Sequence, residues 1–363
     1  MKLHLLRILD WYIIRKFLTT FFFAIIMILA ICVVFDFAEK VDDFMYSGAT
    51  THQIVFDYYA NFIPYFGNLF APLFIFISVI FFTYKLTTHS ETIALFASGM
   101  SFWRLLLPYM LTAALLFALS FWGANFIIPK ANATRLKFEN TYVRAQHYLA
   151  TNNVHKQMRP GLFVYIENYD PSNKIAYRFS LERYEQRKLK SKLIADYAQW
   201  DSIAQKWHLN QFFIRHLRQD HDSLVRGNNA DTSCFLRPED LTLTELNAQT
   251  LDRHELKLYI ENQRLQGSTN INSSLVELYS RTSVPFSIFI LTIIGLAVST
   301  RKQRSGMGIQ ISIGLILSFS YILFQRFSNM FAINGSLSPL LAAWLPNIIY
   351  AAIALVMMRL ATK

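Results

Sequence analysis

The sequence predicts a polytopic α-helical membrane protein with six transmembrane helices and an inserted all-β domain of jellyroll-like type. Two observations carry this. Only 16% of the 363 residues are charged and 53% are hydrophobic, whereas a soluble domain carries about 25% charged residues. The deficit is also concentrated in windows close to 20 residues long, the length needed to cross a bilayer. One long middle segment departs from this pattern and reads as β structure.

Taken in order, residues 1–16 hold Lys2, Arg7, Arg15 and Lys16, with Leu5, Leu6, Leu9, Ile13 and Ile14 at helical spacing, an amphipathic lead-in helix. Phe17 to Phe37 is the first span. It is too long for a signal-peptide core and is followed by Glu39, so it is expected to be retained. An acidic connection and an amphipathic helix from Thr51 lead to the second span, Asn61 to Tyr84. Pro64 and Pro72 lie inside it, as membrane helices tolerate when neighbours satisfy the freed backbone groups. Trp103 to Ile128 is the third span.

Between spans two and three lies Thr87 to Ser101, too short to cross a bilayer. Thr88 and Glu91 have the spacing of a capping box, and Gly99 stands where a helix ends most easily. The predicted helix over 88–99 carries Ile93, Leu95 and Phe96. A short, apolar, capped helix needs a surface to bury against. A cytoplasmic partner satisfies this, and so does lipid or the protein's own bundle.

Residues 129–282 change character. Gly161–Asn168, Ile175–Tyr184, Leu193–Trp200 and Trp207–Leu217 alternate with period two or are rich in aromatic and β-branched residues. Arg159-Pro160-Gly161, the run from Tyr169 to Asn173, and Arg226-Gly227-Asn228-Asn229 read as turns. Leu241 to Gln266 reads as a helix stopped by Gly267. The basic run Arg187, Lys188, Lys190 and Lys192 is either a solvated hairpin tip or a patch for anionic lipid.

The final third returns to membrane: Val284 to Thr300, Gly308 to Phe327 and Leu340 to Met358. Gly308, Ser312, Gly314 and Ser318 in the fifth span are small enough for close helix contact. The sequence thus divides at 1–128, 129–282 and 283–363.

Charge placement orients the chain. One side collects Lys2, Arg7, Arg15, Lys16, Lys85 and Arg104, then Arg301, Lys302, Arg304, Arg359 and Lys363, against Asp10 and Glu91. The other side's short connections hold Lys40 and Arg326 against Asp36, Glu39, Asp42, Asp43 and Asp57. The positive-inside rule puts both termini in the cytoplasm and the β domain outside. The formal charge of +11 is largely this signal, so no nucleic-acid partner is expected. Cys32 lies in a span and Cys234 in the polar middle, so no disulfide is expected.

Catalytic and metal signatures are missing. No stretch matches G-x-x-x-x-G-K-S/T, so ATP would be bound by a partner and no cofactor is expected in this chain. His254-Glu255 begins like a zinc-protease motif, but Leu258 stands where the second His is required, leaving an exposed helical pair. Ionisable groups inside the spans are Asp36 and Arg326, both toward the outer face, where they either snorkel or border a polar entrance. An enzyme is not indicated.

Three segments carry a resemblance. Leu9-Asp10-Trp11-Tyr12-Ile13 with Phe17-Leu18-Thr19-Thr20-Phe21, then Ser90 to Ser101, then Val276 to Phe286 together resemble the LptF/LptG permease family of the lipopolysaccharide export ABC transporter, with the opening more similar to LptG. The resemblance implies a multi-pass inner-membrane protein with a periplasmic β-jellyroll. It further implies a heterodimer with a second permease of this type, a cytoplasmic ATPase dimer, a periplasmic bridge of LptC/LptA type, and lipopolysaccharide as cargo for outer-membrane biogenesis. Glu91, Ile93, Leu95, Phe96 and Gly99 would then form the coupling helix to the ATPase. Phe35, Asp36, Phe324, Gln325 and Arg326 would line the lipid cavity or gate. One departure stands out. Some members place a lysine in the outer part of span one, whereas Val33-Val34-Phe35-Asp36 stands here, and an aspartate repels a phosphate. A self-contained glycolipid flippase and a membrane-anchored assembly scaffold are the competing classes.

Overall fold

The computed structural model describes residues 8–89, 91–143, 151–171, 173–186, 188–217, 222–232, 236, 238–241, 248–265, 271–300 and 307–361. The chain divides into two compact units, Met1–Tyr142 with Leu275–Lys363, and Val143–Ser274.

In the first unit, α1 runs unbroken from Ile8 to Tyr46. The expected lead-in helix and first span are therefore one rod of 39 residues, because neither Gly nor Pro interrupts it. At about 1.5 Å per residue it far exceeds a bilayer core of about 30 Å. A π-helical stretch, Gln53–Tyr59, leads into α2, Ala60–Thr88. After α3, Glu91–Ala97, comes α4, Phe102–Trp122. The third span does not end at Ile128. A π turn, Gly123–Ile127, passes into α5, Ile128–Phe138, and on to Val143. Pro129 is tolerated because it falls in the first turn of α5, where its missing N–H is not needed.

The last three helices of this unit, numbered after the β unit's own helix α6 given below, are α7, Ile271–Ser299, α8, Met307–Ile333, and α9, Pro339–Ala361. Among the described residues, five helices are long and apolar enough to cross a membrane: Ile8–Tyr46, Gln53–Thr88, Phe102–Val143, Ile271–Ser299 and Pro339–Leu360. The expected fifth span, Gly308 to Phe327, lies within the 27 residues of α8.

Burial separates central from peripheral helices. In their most apolar windows, 67% of α7 and 61% of Gln53–Thr88 are buried, against 22% of α1. Small residues explain the close contacts at the centre. A Cβ on Gly295 would come within 3.0 Å of Val79, and one on Gly314 within 2.5 Å of Ile80 Cδ1. Gly314 and the buried Ser318 thus face α2, whereas Gly308 and Ser312 are exposed. Polar bonds also join the helices. Thr83 and Tyr109 hydroxyls meet at 2.8 Å, Asn347 donates to the Ser283 carbonyl at 2.6 Å, and Tyr321 donates to Asn347 at 2.9 Å. In hydrocarbon such bonds and tight packing replace the hydrophobic drive between helices.

The second unit is a six-stranded antiparallel sheet: β1 Thr151–Arg159, β2 Leu162–Asp170, β3 Ile175–Glu185, β4 Lys188–Asp201, β5 Lys206–His216 and β6 Ser223–Thr232. Spatial order equals chain order, so the described strands form a meander and lack the crossovers of the expected jelly roll. Tight connections such as Arg159-Pro160-Gly161, with Gly161 at φ +80, send each strand back beside its predecessor. Arg226-Gly227-Asn228-Asn229, expected as a turn, lies inside β6, where the Phe212 ring covers the space above Gly227.

All five ladders are interrupted along one row. Asn152 pairs with Asn168 and Val154 with Ile166, but Asn153 and Glu167 form no pair. The gap continues at Glu167/Arg178, Arg178/Asp196, Asp196/Gln211 and Gln211/Asn228. Alternation restarts out of phase beyond this row. Core residues are therefore three apart across it: Ile166 and Tyr169, Ala176 and Phe179, Ala195 and Ala198, Leu209 and Phe212. Strand register is the same on both sides of the row, so the strands change phase together and keep one continuous apolar face through the bend.

Trp207 is fully buried in this face, and its indole donates to the Leu236 carbonyl at 2.8 Å. Of the expected helix Leu241–Gln266, Leu241, Ala248–Thr250 and α6, Arg253–Leu265, are helical, Leu251 and Asp252 are not, and 242–247 and Gln266 lie outside the described residues. Asp252 caps α6, accepting from the backbone N–H of His254 and Glu255, while Glu255 accepts from the N–H of Asp252 at 3.0 Å. This is the capping box that fixes its first turn. His254 and Glu255 are exposed.

Candidate functional site

The α3 helix is closed at its C-terminus by a Schellman motif. Gly99, at φ +87, donates to Phe96 O at 3.0 Å and Met100 to Leu95 O at 3.2 Å. Leu95 and Met100 pack onto the core shared by α1, α2 and α4. Glu91, Ala94, Phe96, Ala97 and Ser98 are exposed. The helix is therefore seated on its own bundle by one face and open on the other. The side chain of Ile93 and all of Ser90 lie outside the described residues. Thr88 does not act as the N-cap of α3. It is the last residue of α2, and its hydroxyl donates to the Tyr84 carbonyl at 2.9 Å.

Both flanks of α3 are tethered to other helices. On the α2 side, the Thr87 hydroxyl bonds the Thr83 carbonyl and reaches the Ser299 carbonyl of α7 at 3.1 Å. On the α4 side, Ser101 caps α4 by accepting from the Arg104 N–H. The Arg104 guanidinium then holds both oxygens of Asp10, on α1, at 2.7 Å each. Asp10 is fully buried. Charge counting registered these two groups only as members of one membrane side.

The five cavity candidates do not converge on one surface. Phe35 is 72% exposed. Asp36, one position on, turns into an ion cluster. Lys40 bonds it at 2.9 Å, Tyr58 donates to one oxygen at 3.1 Å and Tyr59 to the other at 3.2 Å. Lys40 also bonds the Tyr58 hydroxyl and lies 4.0 Å from Glu139, which faces Arg135 at 3.7 Å. The aspartate expected to repel a phosphate is thus neutralised by a lysine one helical turn away. Phe324 is half-buried against the core of α2, α7, α8 and α9. Gln325 is buried and donates to Asn329 at 3.3 Å. Arg326 is exposed. Val34 and Phe35 on α1, and Ile316, Phe319, Leu323 and Phe327 on α8, are all more than half exposed.

The β unit contains a cavity of about 1030 Å³ whose lining includes His155, Phe163, Tyr165, Glu182, Tyr184 and Lys192. Phe163 meets Tyr184 edge-on at 5.5 Å and the His155 ring lies tilted against Tyr165, with centroids 4.4 Å apart. Of the predicted basic run, Lys192 enters this cavity and is paired with Glu182 at 2.7 Å. That bond, with a second from the Tyr184 hydroxyl, holds the Glu182 carboxyl below its usual range. Lys188 and Lys190 are exposed, and Arg187 lies outside the described residues. Cys32 carries a free thiol, and Cys234 lies outside the described residues.

Long apolar helices, with a short helix between two of them and an inserted β unit, are the build of a multi-pass membrane protein. Residues 11–360 match the family described as lipopolysaccharide export system permease LptF/LptG, and the chain belongs to that family. It is accordingly an inner-membrane multi-pass protein and a permease component of the lipopolysaccharide export system. Comparison with curated proteins finds no match to the chain.

Proposed function

We propose that this chain is an LptG-type permease that works as a heterodimer with a second permease of the family on a cytoplasmic ATPase dimer. It extracts lipopolysaccharide from the outer leaflet of the inner membrane and passes it to a periplasmic bridge. The observation that carries this is the two-sided α3 helix. Its Leu95 and Met100 are seated on the bundle while Glu91, Ala94, Phe96 and Ala97 stand open, with small residues that admit close approach of a partner.

The remaining assignments follow from charge and hydropathy. α8 also crosses the membrane, as the fifth of six spans, both termini are cytoplasmic, and Val143–Ser274 is periplasmic. ATP is bound and hydrolysed by the partner, and this chain does no bond chemistry. The problem it solves is physical. Each CH₂ of an acyl chain resists extraction into water by about 0.8 kcal/mol, so several chains together resist by tens of kcal/mol unless sheltered. The exposed aromatic and aliphatic faces of α1 and α8 supply shelter within the membrane. The β unit, with its cavity beside Phe163, receives the lipid outside it.

Glu91→Lys tests the reading in membranes containing the ATPase. Loss of ATPase co-purification together with loss of lipid release is the expected result. Retention of both at wild-type levels favours a scaffold whose helices only anchor the β unit.

A further inference from the structure

The α3 helix is not joined to α4 by a slack loop. The Schellman bonds at Gly99 and Met100 and the Ser101 cap of α4 fix every turn of the link between Leu95 and Arg104. Arg104 leaves this elbow and closes on Asp10 of α1 with two parallel bonds of 2.7 Å. The fork geometry matches both carboxylate oxygens and so fixes orientation as well as distance. Above the pair, Ile13 and Phe17 of α1 are fully buried, and Phe17 packs on Tyr109 of α4 with ring centroids 6.0 Å apart. An exposed apolar face runs along α1, from Trp11 and Phe23 to Ile26, Met27, Val34 and Phe35. The foot of α1 is thus gripped by α4; further along, one face holds Asp36 to Tyr58 and Tyr59 and buries Phe44, while Val34 and Phe35 stand exposed. The tether on the other flank of α3 is weaker, a neutral hydroxyl–carbonyl bond from Thr87 to α7.

We propose that Asp10 and Arg104 are a positioning pair that makes α1 follow displacements of α3, so that force applied at the cytoplasmic surface moves the lipid-facing outer part of α1. This rests on the reading that a cytoplasmic ATPase acts on α3. Asp10 is buried and Arg104 is 28% exposed; ion pairs, exposed or buried, add little stability over apolar replacements, and the best-attested reason for keeping a buried charge is to fix register or a switch. A 39-residue helix without Gly or Pro transmits such a displacement along its length.

The test uses the assembled complex with its ATPase in lipid nanodiscs. It compares wild type with the charge-free double variant Asp10→Asn/Arg104→Gln and with Arg104→Lys, which keeps the charge but loses the fork. Three quantities are read: ATPase co-purification and hydrolysis, lipid released per ATP, and the ATP-dependent change in distance between spin labels at Phe35 and Ile348. The double variant is expected to bind and hydrolyse within twofold of wild type, to release at least tenfold less lipid per ATP, and to lose the Phe35 displacement. Arg104→Lys falls between. Wild-type lipid release per ATP in the double variant overturns the inference. So does parallel loss of assembly, hydrolysis and release, which marks a purely structural pair. If wild type itself neither binds the ATPase nor releases lipid, the permease reading falls and takes this inference with it. A coupled wild type beside an equally coupled variant removes the positioning role alone.

Discussion

Arg178 and Gln211 stand in the same row of the sheet, two strands apart, and both hold left-handed backbone, at φ 48° and 45°. Asp196 lies between them, and none of the three joins a ladder pair there. A left-handed residue with a Cβ costs about 1–2 kcal/mol, whereas glycine adopts this backbone freely. Gln211→Gly is therefore expected to stabilise the β unit by up to about 1 kcal/mol after its own entropy cost, and Gln211→Val to destabilise it. Thermal unfolding of the full chain followed by aromatic circular dichroism checks the order.

Gly161 and Gly99 both have positive φ, +80 and +87, but their surroundings differ. A Cβ on Gly161 would lie 2.4 Å from the Tyr184 carbonyl oxygen, whereas one on Gly99 meets nothing within 4 Å. Gly99→Ala is expected to cost about 1 kcal/mol, the conformational term alone. Gly161→Ala adds a backbone collision and is expected to exceed it clearly, spreading the β2–β3 hairpin. Hydrogen exchange at the Tyr184 amide, which donates to the Gly161 carbonyl at 2.6 Å, reports this directly.

Trp207 holds the segment after β6 onto the sheet through its bond to the Leu236 carbonyl. Trp207→Phe leaves that carbonyl without this donor and is expected to cost about 1–3 kcal/mol. Trp207→Ala also empties the centre of the core and is expected to cost about 3–5 kcal/mol. Equal losses in the two variants would remove the hydrogen bond from the account.

His208 bridges two carboxylates at the exposed end of the sheet, Asp231 at 2.5 Å and Asp201 at 3.3 Å. Hydrogen bonds to Asp201 and Asp231 favour the imidazolium and raise its pKa above 6.5. Because the folded value is raised, its stabilisation is fully present below pH 6.5 and is lost as pH rises through the folded value. The melting-temperature difference between wild type and His208→Gln is expected to shrink between pH 6 and pH 8.5. A constant difference contradicts the bridge.

Much of the helical unit was legible in the sequence because span length and charge bias are strong signals. Gly99 also ended α3 as its left-handed tolerance requires. Helix ends misled where context outweighed local propensity: Pro129 was absorbed in a first turn, and Thr88 bonded backward into α2. In the sheet, β1 and β6 went unread because edge strands are polar and β6 carries Gly-Asn-Asn. The bend had a readable trace, the spacing of three between Ile166 and Tyr169, Ala176 and Phe179, and Leu209 and Phe212, but period-two reading does not look for it. At the site, Asp36 and Gln325 turned inward for partners far away in sequence, Tyr58 and Ala343, which no local pattern announces. The Asp10–Arg104 pair, 94 residues apart, was hidden for the same reason.

The central claim is that lipid leaves the membrane unit and enters the β unit in an ATP-driven step. A photocrosslinking residue at Phe163, 39% exposed beside the β-unit cavity, tests it most directly in membranes with and without ATP. The account predicts a lipopolysaccharide adduct that forms only when ATP is supplied. Absence of any lipid adduct at Phe163 under ATP, while Phe96 on α3 still crosslinks to the ATPase, would contradict it.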